Sequence, residues 1–255
     1  MSIITLLTDF GTSDSYVAEV KGALLTRAPG VTLVDITHAV APGDARAGQY
    51  VLSRTWSHFP AGTVHLAVVD PAVGTERRAV AAESGDHRFV APDNGLLSFL
   101  PPDARCVELP IPAHAAPTFH GRDVFAPAAA ALAMGGTLVS LGAAVRQLYR
   151  APLPVPRSER SVVIGEVLYV DRFGTLITNI TPPLVAPGAR IRIAGQDAGV
   201  LRRTFADVPA GAMVAFVGSG GTIEIAVRDG SAANELTVGV GAEIRCEPVG
   251  DGKGR

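Results

Sequence analysis

The sequence predicts an α/β fold: an N-terminal domain on a parallel sheet with helices on both faces, followed by a smaller all-β barrel. Three features carry that prediction. Over the first 70 residues, short apolar runs alternate with segments of helical period in the order β-α-β-α-β, the pattern of parallel strands joined by crossover helices. Ala151-Pro152-Leu153-Pro154-Val155-Pro156 then forms a stiff, extended spacer. Beyond it the helical period vanishes, and short strands recur between Gly and Pro, as in a small barrel. The expected organisation is an α/β domain over 1–150, a proline-rich linker over 151–161 and a β-barrel domain over 162–255.

Composition narrows the class. Charged residues make up only 18% of the 255, against 47% hydrophobic, so the chain has ample material for a core and is not a disordered one. A net charge of −2 gives no basic surface for nucleic acid. The first residues run into an acid at Asp9 with no basic region before it, which reads as a strand and not a signal peptide. No apolar run reaches membrane-spanning length. Cys106 and Cys246 form no CxxC and lie in apolar stretches, so two buried, reduced thiols in a cytoplasmic protein are expected.

The elements follow in order. Residues 3–7 form a strand that ends at Thr8-Asp9-Phe10-Gly11. Residues 12–15 offer helix caps, and the helix after them carries Val17, Val20, Leu24 and Leu25 on one face. It stops at Pro29-Gly30. A strand over 31–36 ends in Asp35-Ile36-Thr37-His38, and Pro42-Gly43-Asp44 opens a second helix reaching about residue 57. The strand over 63–69 must end at Asp70-Pro71, because proline cannot donate to a sheet ladder. Gly74 turns the chain back, and Arg77 and Arg78 follow. Residues 79–83 and 88–90 read as a hairpin, Asp93-Asn94-Gly95 as a turn, and 124–134 as an alanine-rich helix for which Asp123 is a plausible cap. In the second domain, strands are expected at 165–170, 176–180, 189–193, 213–217, 223–227 and 242–246. Gly218-Ser219-Gly220-Gly221-Thr222 lacks the lysine and helix of a phosphate loop and reads as a hairpin turn.

The chemistry gathers at strand ends. Asp9, Asp35 with His38, and Asp70 with Arg77 each follow a strand. In a parallel sheet those ends share the edge where ligands bind. Asp9 and Asp14 suit either a helix cap or a ligand contact. Asp70 with Arg77 suits either a structural ion pair at a turn or a site, and His120, in a loop between Phe119 and Gly121, suits either a structural or a catalytic role. The histidines are scattered singly, and no acid or histidine grouping has metal-ligand spacing, so neither a metal nor a cofactor is expected.

Taken together, Thr8-Asp9-Phe10-Gly11, Asp35-Ile36-Thr37-His38, Val69-Asp70-Pro71-Ala72-Val73-Gly74-Thr75-Glu76-Arg77, Ala91-Pro92-Asp93-Asn94-Gly95, Thr118-Phe119-His120-Gly121-Arg122-Asp123, Tyr169-Val170-Asp171-Arg172-Phe173-Gly174, Ile177-Thr178-Asn179 and Ser231-Ala232-Ala233 resemble, in order and over nearly the whole chain, the adenosine-forming S-adenosylmethionine (SAM) hydrolases, relatives of the SAM-dependent fluorinase and chlorinase. The resemblance implies hydrolysis of SAM to adenosine and L-methionine. It also implies a trimer, or a multiple of one, with the substrate held between the N-terminal domain of one subunit and the C-terminal domain of its neighbour. It places the catalytic set on Asp70, Arg77 and His120 and the ribose diol on Asp9. Phe10, Asp14, Asn94, Phe119, Gly121, Asp171, Phe173, Asn179 and Ser219 are the further substrate contacts it suggests. Thr175, where the family has Asn, and Gly218-Ser219, where Asn-Ser is common, depart from its pattern.

The sulfonium of SAM leaves without acid assistance, so the site must place a water in line with C5′ and take its proton. Arg77, a donor only, cannot be the base, and either Asp70 or His120 can. A SAM-dependent halogenase and a non-catalytic SAM or adenosine binder are the alternatives. Asp70 argues against the first, since a carboxylate repels a halide and the halogenases carry Tyr at that position. The full Asp–Arg–His set argues against the second.

Overall fold

In the computed structural model, which describes residues 2–248, the chain divides into two units, one ending at Ala151 and the other beginning at Pro152. The strands of the first unit are β1 (Ile3–Thr8), β2 (Thr32–Thr37), β3 (Val64–Val68), β4 (Ala79–Ser84), β5 (His87–Pro92), β6 (Arg105–Leu109) and β7 (Ala143–Val145), in the sheet order β2-β1-β3-β5-β4-β6-β7. The first four in that order are mutually parallel. β4, β6 and β7 extend the sheet antiparallel. The parallel sheet expected from the sequence is therefore one half of a mixed sheet. The β4–β5 hairpin is the one expected from the sequence, whereas β6, with charges at Arg105 and Glu108, and the three-residue β7 are not apolar runs and gave no strand signal.

The helices are α1 (Tyr16–Arg27), α2 (Ala45–Thr55) and α3 (Ala126–Ala133). Alternation along β1 assigns them to faces. Ile4 and Leu6 point into a core shared with Val64, Leu66 and Val68, with Val20 and Leu24 of α1, and with α3. Leu7 and Val69 point the other way, against α2, where a Cβ on Gly48 would come within 2.8 Å of Leu96 and 3.1 Å of Val69. Full burial of each such aliphatic side chain is worth about 2 kcal/mol, so both faces of the sheet hold the strand ends in register. Pro42-Gly43-Asp44 opens α2 as expected, and Asp44 caps it, accepting from the Ala47 N–H at 2.9 Å.

Three local expectations are corrected. No side chain accepts a cap hydrogen bond at the start of α1: Ser15 holds that position but donates to Glu19 at 2.7 Å, and Asp14 is exposed. Leu25, expected on the buried face, is 49% exposed in this chain. Asp123 lies inside a π turn, Gly121–Phe125, that leads into α3 and does not cap it.

The second unit is a closed barrel. Its strands are β8 (Arg157–Glu159), β9 (Val162–Val170), β10 (Leu176–Thr178), β11 (Arg190–Ile193), β12 (Gln196–Arg202), β13 (Met213–Val217), β14 (Ile223–Val227) and β15 (Glu243–Glu247). The ring runs β9-β10-β14-β13-β12-β11-β15 and closes on β9, with β8 attached outside it. Closure leaves the ring no edge strand. Val167, Leu176, Ile191, Ile225 and Ile244 fill it. β8 forms a hairpin with β9 inside the stretch expected to be linker, β12 was not expected, and one helical turn, α4 (Ala232–Leu236), interrupts a region read as all-β. The 218–222 segment is a hairpin turn between β13 and β14, with the Gly218 N–H on the Thr222 carbonyl at 3.0 Å. Cys106 and Cys246 are buried free thiols, and burial pushes Cys246 up to about 11. Among the described residues no helix is long and apolar enough to cross a membrane.

Candidate active site

Asp70 follows β3 at the C-terminal edge of the parallel strands, and the turn after it brings Arg77 back onto it. Arg77 Nε lies 3.0 and 2.9 Å from the two Asp70 carboxylate oxygens, and Nη2 also donates to Oδ2. Their side chains are only 5% and 8% exposed. The guanidinium carbon stands 5.2 Å from the centroid of the Phe125 ring. Gly74 makes this return possible. Its φ is +79°, and a Cβ there would lie 2.7 Å from the Pro117 carbonyl oxygen, so a side chain would separate this turn from the loop that carries His120.

That loop places His120 Nδ1 3.0 Å from Arg77 Nη2. A guanidinium has no acceptor, so Nδ1 accepts and, in the neutral ring, the proton sits on Nε2. Burial, reinforced by the Arg77 charge, lowers the pKa of His120; Asp70 and Asp123 oppose the shift without reversing it. His120 is thus a neutral donor whose basic nitrogen is already engaged. Arg77 Nη1 is buried with no hydrogen-bond partner among the described residues, which leaves one donor of the group open.

Asp70 and His120 line a cavity of about 490 Å³ together with Asp9, Phe10, Phe119 and Gly121. The volume is in the range of small-molecule sites. Asp9 is held by the Gly43 N–H, which donates to its Oδ2 at 2.8 Å. Phe10, Tyr16 and Phe119 meet edge to face with centroids 5.3–6.2 Å apart and form one apolar wall. A Cβ on Gly121 would come within 3.2 Å of the Phe10 ring. Tyr16, Glu19 and Arg122 also line the cavity and were missed by the sequence reading. Tyr16 carried a local signal, an aromatic opening the helix directly after the Asp14 cluster. The Glu19–Arg122 pair, at 2.8 Å, joins residues 103 apart and had none.

Several expected contacts lie elsewhere. Asp14 is exposed and outside the cavity lining. Asn94 is also outside it; its amide donates to the Val69 carbonyl at 2.7 Å. Asp35 and His38 tie strand ends: His38 stands 2.8 Å from the Thr8 hydroxyl and 3.1 Å from Asp35. In the barrel, Asn179 is a backbone clamp, accepting from the Glu166 N–H at 2.9 Å and donating to the Pro154 carbonyl at 3.0 Å. Asp171 accepts from the N–H groups of Phe173 and Thr175 at 2.9 and 2.8 Å, which shapes the turn that leaves Phe173 76% exposed. Asp171, Phe173 and Thr175 line a cavity of the barrel unit itself; Ser219 is exposed on its hairpin. Among the described residues no group of three or more His, Cys, Asp or Glu could hold a metal ion.

The model of the SAM hydroxide adenosyltransferase N-terminal domain matches residues 4–142, and that of the family's C-terminal domain matches residues 165–245. A relative from Thermus thermophilus named (R)-S-adenosyl-L-methionine hydrolase is 46% identical, over 96% of this chain and 99% of its own. A fluorinase from an Actinoplanes species is 32% identical over 70% of this chain and 71% of its own. The crystal structure of an uncharacterized conserved protein from Thermotoga maritima aligns with a TM-score of 0.87 at 35% identity, covering 95% of this chain and 98% of that one.

Proposed function

The chain belongs to the SAM hydroxide adenosyltransferase family, and we propose that it hydrolyses S-adenosyl-L-methionine to adenosine and L-methionine with Asp70 as the base. One observation carries the reading: the Asp70–Arg77–His120 group, two-thirds of it facing the cavity, in which His120 Nδ1 is already engaged by Arg77. A water attacks C5′; the O–C5′ bond forms as the C5′–S bond breaks, and the electron pair returns to sulfur as neutral methionine thioether. The water's proton goes to Asp70. Two Arg77 N–H groups cover that carboxylate, the single Nε–H shared between Oδ1 and Oδ2 and an Nη2–H on Oδ2, which leaves a lone pair on Oδ1. The His120 Nε2–H is a donor for the attacking oxygen, and the positive guanidinium stabilises its developing charge. Holding the water in line supplies several kcal/mol, roughly 7 or more in good cases.

Asp9 accepts the ribose hydroxyls, with Oδ1 clear of the Gly43 bond. Phe10, Phe119 and Tyr16 cover an apolar face of the nucleoside. No metal or cofactor takes part in this proposal. The family resemblance further supports a trimer in which Asp171, Phe173 and Ser219 reach the substrate from a second copy. The halogenase reading is disfavoured by Asp70 itself, a buried carboxylate where a halide would have to sit.

The test is to incubate purified protein with each sulfur epimer of SAM, since the Thermus thermophilus relative is named for the R form. Incubations with and without chloride, and with EDTA, are analysed by mass spectrometry. Adenosine and methionine in equal amounts, unaffected by EDTA, are expected. A 5′-chloro nucleoside, or no turnover of either epimer, would overturn the reading.

A further inference from the structure

Behind the Asp70–Arg77 pair the chain is tied by its neighbours. Each of these residues has an adjacent residue that faces away from the cavity. Next to Arg77, Arg78 grips Asp93, with Nε at 2.9 Å and Nη2 also donating. Next to Asp93, the Asn94 amide donates to the carbonyl of Val69 at 2.7 Å, and Val69 precedes Asp70. The circuit closes: 69–70, 77–78 and 93–94 are joined in a ring through two ion pairs and one amide. Asp93 is 4% exposed at its side chain and also accepts from the Tyr149 N–H at 2.7 Å, and Arg78 donates to the Gln147 carbonyl at 3.2 Å.

The ring meets a need that the backbone cannot. Pairing of β3 with β5 runs through Leu66↔Val90, and β3 ends at Val68. The Val69 carbonyl therefore lies past the ladder, and a buried carbonyl needs a donor. Asn94 supplies it from a side chain. Its own oxygen accepts from Leu96, which aims the amide. The rung from the Asp93 N–H to the Arg78 carbonyl, at 3.0 Å, continues the β4–β5 ladder to the point where both side chains pair.

We propose that Asn94 is a positioning residue for the reaction: through the Val69 carbonyl, backed by Arg78 and Asp93, it holds the Asp70 carboxylate where its free lone pair meets the attacking water. This rests on the assignment of Asp70 as base. It also gives residues 147–149, at the end of the first unit, a mechanical link to the catalytic pair.

The experiment compares Asn94→Ala in wild-type and Asp70→Asn backgrounds, with SAM turnover, adenosine affinity and thermal unfolding measured for each. Misplacing a reacting group costs up to about 100-fold in rate. Asn94→Ala is expected to lower kcat by about tenfold or more, leave adenosine affinity within about twofold, and have no further effect once Asp70 is Asn. Should Asn94→Ala not fold, the isosteric Asn94→Asp removes the donor while keeping the acceptor for Leu96. Unchanged kcat, a loss confined to KM, or an equal loss in both backgrounds overturns the proposal. Wild-type protein that does not turn over SAM instead refutes the assignment of function, so the two failures are told apart.

Discussion

The Arg77 guanidinium donates to His120 Nδ1 at 3.0 Å, and this one contact decides which tautomer His120 holds. With Nδ1 engaged and the pKa lowered by burial and by Arg77, His120 serves as a neutral Nε2–H donor. A glutamine can mimic that pattern, accepting with its oxygen and donating with its nitrogen. His120→Gln is expected to retain activity within about tenfold of wild type, while His120→Ala loses about 100-fold, the scale of acid–base groups. Steady-state kcat for the pair checks this; equal inactivity of both variants would return His120 to the role of base.

Asp70→Asn is nearly isosteric and keeps an acceptor for Arg77. It is expected to bind SAM as wild type does and to lose about 100-fold or more in turnover. In ¹⁸O-water, the wild-type enzyme should place label in the adenosine 5′-hydroxyl and none in methionine. Label in methionine would put the attack at the wrong carbon.

Asp9→Ala is expected to weaken both SAM and adenosine, because both present the same diol, and to leave the Gly43 N–H without its acceptor. Competition by 2′-deoxyadenosine against wild type should be poor, since a site that binds a hydroxyl penalises an analogue lacking it. Calorimetric titration with adenosine is the measurement; unchanged affinity in Asp9→Ala removes that residue from the ribose site.

Stability should carry an acid dependence from a histidine outside the site. His65 is fully buried, 2.8 Å from the Thr5 hydroxyl and 3.1 Å from His87, and burial, then the His87 charge, lowers its pKa from the usual 6.5 to about 3. The folded state therefore holds His65 neutral while the unfolded chain binds a proton below 6.5. Its stabilisation is complete above that pH and is lost as pH falls from 6.5 toward 3, by roughly a few kcal/mol in all. Thermal unfolding across this window should show a steeper acid loss in wild type than in His65→Gln. Parallel curves would show that His65 does not titrate on unfolding.

Sedimentation equilibrium is expected to give a mass of three chains or a multiple. Disruption of that assembly should abolish turnover, because Asp171 and Phe173 are proposed to act from a second copy. A fully active monomer would exclude this.

Much of this protein was legible in its sequence, because the features concerned are local. The apolar run of β1, the stop of β3 ahead of Pro71, the helix opened at Pro42-Gly43-Asp44 and the hairpin turn at 218–222 follow from apolar patterning, ring stereochemistry and turn chemistry within a few residues. The turn at Gly74 was enough to bring Arg77 beside Asp70, and the family resemblance added His120, 43 residues beyond Arg77. Only the tertiary structure decided what those side chains do with their polar atoms. The resemblance suggests Asn94 and Asn179 as substrate contacts; in the fold the amide of the first holds a carbonyl 25 residues back and the second clamps β9 to Pro154. The β4–β5 hairpin was legible, but β6 and β7, the exposed Leu25 and the Glu19–Arg122 pair were likewise invisible. The reason is physical. Periodicity specifies which face a side chain takes, but an amide or imidazole binds whichever donor or acceptor the fold brings within about 3 Å, and that neighbour is set by chain segments distant in sequence.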